Sequence, residues 1–119
     1  MNPEQRSSDC IFCKIASGEI PSNIVYQDED VIVFPDIRPL TPVHLLVVPR
    51  KHIPTLAHLS DEDTLLLGKM TRAANRVAKE QGIANKGYRL TINSGADAGQ
   101  IVPHLHMHLM GGRVLDWKH

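Results

Sequence analysis

No net charge steers this chain. Thirteen Lys and Arg offset thirteen Asp and Glu over 119 residues, so no global field draws it onto nucleic acid or an anionic membrane. Any phosphate recognition must then be local. No apolar run approaches the roughly 20 residues of a membrane span. The opening Met-Asn-Pro-Glu-Gln-Arg-Ser-Ser-Asp lacks the apolar core of a secretory signal, and a cytoplasmic protein is expected. Internal repeats and low-complexity linkers are missing too. Cysteine is scarce, with only Cys10 and Cys13 in a Cys-x-x-Cys. Inside a cell such a pair binds metal, acts in redox chemistry or sits buried more often than it forms a structural disulfide. A redox pair favours a βαβ context, which the surrounding sequence does not offer, and a zinc site needs about two further ligands from elsewhere.

What is present suits one domain, residues 1–119, with a single hydrophobic core: 42% of residues are apolar and 22% charged. Residues 1–9 are polar and expected to be disordered. Asp9 is placed to cap a short helix with Ile11, Phe12 and Ile15 on its apolar face and Gly18 as its stop. Ile24 to Tyr26 and Val31 to Phe34 read as a hairpin around a turn at 27–30. Pro35, Pro39 and Pro42 confine a loop that holds Asp36 and Ile37. His44 to Val48 reads as a central strand, ended by Pro49. Ser60 and Asp63 resemble a capping box, opening a helix of about 20 residues whose stripe of Leu66, Met70, Ala73, Ala74 and Val77 faces the sheet. Tyr88 to Asn93 is a further strand, and 94–99 a small-residue loop. Because the helices do not alternate with the strands, the class is α+β.

The stretch Gln100 to Gly112 stands apart. His104, His106 and His108 alternate with Leu105, Met107 and Leu109, the period of a β-strand, which puts three imidazoles on one face. Three readings are open. The histidines are surface or satisfied core residues; or they hold a catalytic metal; or one attacks phosphorus while its neighbours bind the phosphoryl oxygens. Successive same-face residues lie on the order of 7 Å apart along a strand. That is longer than the roughly 3.3 Å between ligands on one tetrahedral zinc, so a single histidine from the row joined by distant ligands is the easier metal site. Crowded imidazoles disfavour one another's protonation, which suits a neutral nucleophile.

The run His104-Leu105-His106-Met107-His108-Leu109-Met110 resembles the signature of the histidine-triad (HIT) family, His-φ-His-φ-His-φ-φ with φ apolar. Ile11 to Ile15, Glu19-Ile20-Pro21, Phe34 to Ile37, Pro42 to His52, Asn93, Gln100 and Gly111-Gly112-Arg113 follow the family's order. Gly-Gly-Arg with Trp117 is most similar to the Hint branch.

The resemblance implies a sheet of about five antiparallel strands with one long and one short helix, and a homodimer with joined sheets whose C-terminal tail lies near the partner's site. It implies hydrolysis of the P–N bond in purine nucleoside 5′-phosphoramidates through a nucleotidyl-histidine. His106 would be the nucleophile, His108 would hold the phosphate or bridging atom, and His44 would orient the nucleophile's other nitrogen. Asp36 would accept from the ribose hydroxyls. Ile11, Phe12, Ile15 and Ile37 would sandwich the base, while Asn93 and the backbone at Gly99, Gln100 and Ile101 would reach the 5′-phosphate. Many Hint-like proteins carry Ser where Ile101 stands, so rate or leaving-group preference should differ. Pro103 removes a backbone donor and implies an edge or bulged entry to the strand. By the same resemblance Cys10, Cys13, His52 and His104 would form a closed structural zinc site. A dinucleotide-polyphosphate hydrolase, and a purine-nucleotide-binding regulatory module with little turnover, are the alternatives. No nucleic-acid or membrane partner is implied.

Overall fold

The computed structural model describes residues 9–116. The expected disorder of residues 1–8 and the position of Trp117 lie outside them. Five strands form one antiparallel sheet in the order β1-β2-β3-β5-β4: β1 is Tyr26–Gln27, β2 Val31–Pro35, β3 Val43–Pro49, β4 Tyr88–Thr91 and β5 Met107–Gly111. One short helix, α1 (Ile11–Ser17), and one long helix, α2 (Thr64–Glu80), complete the α+β fold. No helix among the described residues is long and apolar enough to cross a membrane.

Strand alternation separates two apolar clusters. Val31, Val33, Leu45, Val47, Leu105, Met107 and Leu109 pack with Met70, Ala73, Ala74 and Val77 of α2. Ile32, Phe34, Leu46 and Val48 face the other way and pack with Cys10, Phe12 and Cys13 around α1. The sheet is thus covered by α2 on one face and by α1 on the other. The second face carries the histidines.

Four expectations shift in detail. The cap of α1 is Cys10 rather than Asp9: its Sγ accepts the Cys13 N–H at 3.4 Å. Strand β1 begins later than Ile24, at Tyr26. Strand β4 stops at Thr91, two residues before Asn93. The largest shift is in the histidine row, where only His108 lies within β5 and His104 and His106 precede it. The β3–β5 register pairs Val47 with Met107, and its continuation would set Leu105 against Pro49, which has no N–H to give. Leu105 N–H donates to the Ile53 carbonyl instead, at 2.6 Å. The chain therefore enters β5 through an irregular segment after Pro103, yet the faces stay in phase.

The capping box of Ser60 and Asp63 forms, opening a 3₁₀ turn at Asp61–Asp63 that runs directly into α2. Gly82 follows α2 with φ +76°, a left-handed conformation that glycine adopts without strain.

Candidate active site and metal-ligand cluster

The site is built where β3 and β5 lie side by side. His44 projects from β3 and His108 from β5 onto the α1 face, and His44 Nε2 stands 2.9 Å from His108 Nδ1. The rings of His106 and His108 are 5.1 Å apart. Phe12 of α1 meets His106 edge-on, at 5.2 Å and 87°. His44 and His106 are buried and His108 is half-buried.

Hydrogen-bond partners assign the ring protons. His106 Nδ1 lies 2.7 Å from the His104 carbonyl oxygen. A carbonyl only accepts, so Nδ1 carries a proton, and a neutral His106 keeps its lone pair on Nε2. His44 Nδ1 accepts the Leu40 N–H at 3.0 Å, so a neutral His44 carries its proton on Nε2 and donates it to His108 Nδ1. His108 then carries its own proton on Nε2. One bare nucleophilic nitrogen and one ring donor therefore come from neighbouring histidines. Asp36 Oδ2 is 3.4 Å from the same His44 Nε2, and Asp36 Oδ1 accepts the Arg38 N–H. His44 was expected to orient the nucleophile's second nitrogen. It orients His108 instead, because the carbonyl of His104 already holds that nitrogen of His106.

Burial pushes His108 down to about 4, helped by the facing His106 and His44 and opposed by Asp36. Burial also lowers His44, again against Asp36. Near neutral pH both rings are therefore uncharged, as the proton assignment requires.

A second cluster lies beside the first. Ligand atoms of Cys10, Cys13, His52 and His104 all fall within 4.8 Å of one another. His104 Nδ1 is 3.2 Å from Cys10 Sγ, 3.6 Å from Cys13 Sγ and 3.1 Å from His52 Nδ1, and Cys13 Sγ is 3.4 Å from His52 Nδ1. Tetrahedral zinc with sulfur and nitrogen ligands spaces its donors by roughly 3.3–3.8 Å, close to these distances. His104 Nε2 donates to the Pro49 carbonyl at 2.7 Å, which leaves Nδ1 bare toward the cluster and supplies the outer hydrogen bond that metal-bound imidazoles ordinarily have. Burial lowers His52 and brings His104 down to about 4, favouring the neutral, ligand-ready form of each. The donor set fits zinc. Asp36, His44 and His108 also converge, but His44 spends its Nδ1 lone pair on Leu40 and its Nε2 proton on His108. Both ring nitrogens of His44 are thus engaged within the protein.

Other predicted residues fall around this core. Phe12 is buried, and Ile15 packs against the same cluster. Ile11 is 47% exposed, and Ile37 and Ile101 are each 92% exposed, so these three present apolar side chains to solvent. Asn93 is half-buried just past β4. The backbone N–H groups of Gly99 and Gln100 were expected to face phosphate. They are already engaged by the Ala96 and Gly95 carbonyls, at 2.9 and 3.1 Å. The Gln100 side chain braces the same loop, accepting from Gly95 N–H and donating to the Pro54 and Val102 carbonyls. Sequence reasoning missed the carbonyl that fixes His106 and the Leu40 N–H that fixes His44; both are backbone groups, with no residue-type signal.

The HIT domain model matches residues 17–115. The purine nucleoside phosphoramidase of Escherichia coli K12 is 48% identical over 109 residues, 92% of each chain. A HIT family hydrolase from Clostridium thermocellum superimposes with a TM-score of 0.92 at 46% identity, covering 95% of this chain and 98% of that one. A Zn-bound histidine triad family protein from Mycobacterium smegmatis superimposes at 0.77 with 33% identity, covering 92% and 78%. Matched by the family model over most of its length, and superimposing on solved HIT proteins over more than nine-tenths of it, the chain belongs to the HIT domain family.

Proposed function

We propose that this protein hydrolyses the P–N bond of purine nucleoside 5′-phosphoramidates through a nucleotidyl-His106 intermediate. The observation that carries this reading is the 2.7 Å bond from His106 Nδ1 to the His104 carbonyl, which leaves Nε2 bare and nucleophilic. The phosphoramidase activity named for the E. coli relative supports the substrate class.

In the first step His106 Nε2 bonds to phosphorus as the P–N bond breaks. The departing amine takes one proton from solvent, while His108 Nε2–H donates a hydrogen bond to a phosphoryl oxygen. Phosphorylated at Nε2 and protonated at Nδ1, the His106 ring is cationic, and the His104 carbonyl faces its N–H. Such a cation is a good leaving group. In the second step water attacks phosphorus, the nucleoside monophosphate leaves, and the proton consumed earlier is returned. His44 and Asp36 steady His108 while the charge moves. Phe12 and Ile15, with the exposed Ile11 and Ile37, would take the base, and Asp36 the ribose hydroxyls. Asn93 is the proposed side-chain contact for phosphate; the Gly99 and Gln100 amides would first have to leave their loop carbonyls. Ile101 offers no hydroxyl to the leaving group, so rate or leaving-group preference should differ from that of relatives with Ser there.

Cys10, Cys13, His52 and His104 would hold zinc in a closed four-ligand site that supplies structure, with no open position for water. The same reading carries a symmetric homodimer in the cytoplasm. Strand β4, at one edge of the sheet, is where a second copy would continue it, and gel filtration should report about twice the 13.2 kDa chain mass. Incubation with an AMP-amine conjugate should release AMP, and His106→Ala should abolish release. Undiminished turnover in that variant would remove His106 as the nucleophile. AMP binding without release from any phosphoramidate would make the protein a binding module.

A further inference from the structure

We propose that the Cys10–Cys13–His52–His104 tetrad is a positioning device for the nucleotide face, so that Zn²⁺ held there and a nucleoside monophosphate at Phe12 and His106 strengthen each other's binding. This rests on the zinc and nucleotide readings above and adds the coupling between them.

Two short routes join the sites. The first is His104 itself. Its ring gives Nδ1 to the tetrad and Nε2–H to the Pro49 carbonyl, while its backbone carbonyl holds His106 Nδ1 at 2.7 Å. A ligand that fixes the ring therefore steadies the peptide that fixes the nucleophile. The second route is α1. Cys10 caps that helix and Cys13 lies in its first turn, with Phe12 between them. The Phe12 ring touches both His104, at 5.8 Å, and His106, at 5.2 Å.

Helix α1 depends on tertiary ties rather than on its own length. Phe12 and Cys13 pack into the apolar cluster and Arg50 Nη1 donates to the Ala16 carbonyl at its C-terminal end, so the tetrad would hold the N-terminal end. Seven residues fall well short of the roughly 12 an isolated helix needs, and its cap is a sulfur accepting at 3.4 Å, a weak acceptor. With the His104 proton on Nε2, only a proton on His52 Nδ1 can join the two facing nitrogens, 3.1 Å apart. Four metal–ligand bonds would clamp α1 to the exit of β3 and the entry of β5. The ordering cost of seating Phe12 would then be met before the nucleotide arrives. A nucleotide seated on Phe12 would equally pre-order the tetrad, and the two enhancements must be equal.

The test uses the full chain. Zn²⁺ affinity is measured by competition with a chromogenic chelator, with and without saturating AMP. AMP affinity is measured by calorimetry on zinc-loaded and chelator-stripped protein. Each ligand should tighten the other by the same factor, about 5-fold or more. A Phe12→Leu variant should still take up Zn²⁺ but show a smaller factor. Zn²⁺ affinity that changes less than about 2-fold while AMP binds normally overturns the coupling and leaves the phosphoramidase reading standing. Coupling undiminished in Phe12→Leu overturns the route through α1, and failure of the folded chain to take up Zn²⁺ overturns the whole proposal. A stripped chain that has lost its circular dichroism overturns local positioning in favour of global folding. Failure of zinc-loaded protein both to bind AMP and to cleave phosphoramidates instead removes the nucleotide reading beneath it.

Discussion

His104 and His106 each give one ring N–H to a backbone carbonyl, but from opposite nitrogens. His104 uses Nε2 and leaves Nδ1 to the cysteines; His106 uses Nδ1 and leaves Nε2 to the open face. Period-two alternation fixes which face a side chain takes. It says nothing about which ring nitrogen ends up bare, since that is decided by carbonyls whose positions depend on the whole fold. Periodicity therefore made the row legible as three imidazoles on one side, the family resemblance alone suggested a division of labour among them, and the choice of ring nitrogen was not legible at all. The same limit hid His44. His44→Ala removes the donor to His108 Nδ1, and its kcat should fall about 100-fold with KM changed far less, as steady-state kinetics can check. Titration offers a second residue-scale test. An unfolded imidazole takes its proton near pH 6.5, whereas folded His108 refuses one until about 4. Between those values the unfolded state binds more protons, so this contribution to stability is complete above about pH 6.5 and declines as pH falls toward 4. Melting temperatures from pH 8 to 4.5 should show a shallower decline in His108→Gln than in the unsubstituted protein; parallel curves would contradict the assignment.

Among the elements, α2 and the central strands were legible because long periodic patterns and apolar runs survive tertiary context. Strand β5 was misjudged at its start because Pro49, distant in sequence, ends the ladder that would have paired it. The N-terminus of α2 illustrates how a local signal acquires a long-range partner. Asp63 accepts from Ser60 N–H, as a capping box predicts, and also from Ser60 Oγ–H and from Lys51 Nζ, the last at 2.7 Å. The Lys51 ammonium, followed by the Ser60 amide, holds the Asp63 carboxyl below its usual value. That stabilisation is present above the unfolded carboxylate value and is lost as pH falls through the lower, folded one. Asp63→Ala should cost about 1–2 kcal/mol in urea unfolding at pH 7, with the difference from the unsubstituted protein narrowing below pH 4. Gly111 tests the other end of the sheet. A Cβ there would stand 2.8 Å from Ile83 Cδ1 and 3.3 Å from its Cβ. Gly111→Ala should therefore destabilise by about 1–3 kcal/mol through overpacking, although its backbone needs no glycine conformation. An unfolding midpoint equal to that of the unsubstituted protein would show that Ile83 moves aside freely.

On the scale of the molecule, one sheet keeps two apolar clusters apart, and the residues of the candidate site lie on one side. The α2 side centres on an apolar cluster built from fully buried residues such as Val77, Met70 and Leu109. The α1 side mixes a smaller apolar cluster with the histidines and cysteines. Close packing resists local change, but the strands interpose a rigid backbone layer between the clusters, so damage to one need not displace side chains in the other. The two sides should then separate by mutation. Val77→Ala deletes buried methyl groups and should cost about 1.5–3 kcal/mol of unfolding free energy, while AMP-amine turnover per folded molecule stays within about 2-fold. Phe12→Leu, which keeps an apolar side chain beside His106 but removes the ring that meets it edge-on, should raise KM for the nucleotide substrate several-fold with a smaller effect on stability. Chemical denaturation and steady-state kinetics on the same two preparations check the contrast. Equal losses of stability and turnover in both variants would mean that the two clusters act as one core through the sheet. The coupling argued for the tetrad would then extend to the whole domain rather than to the α1 face alone.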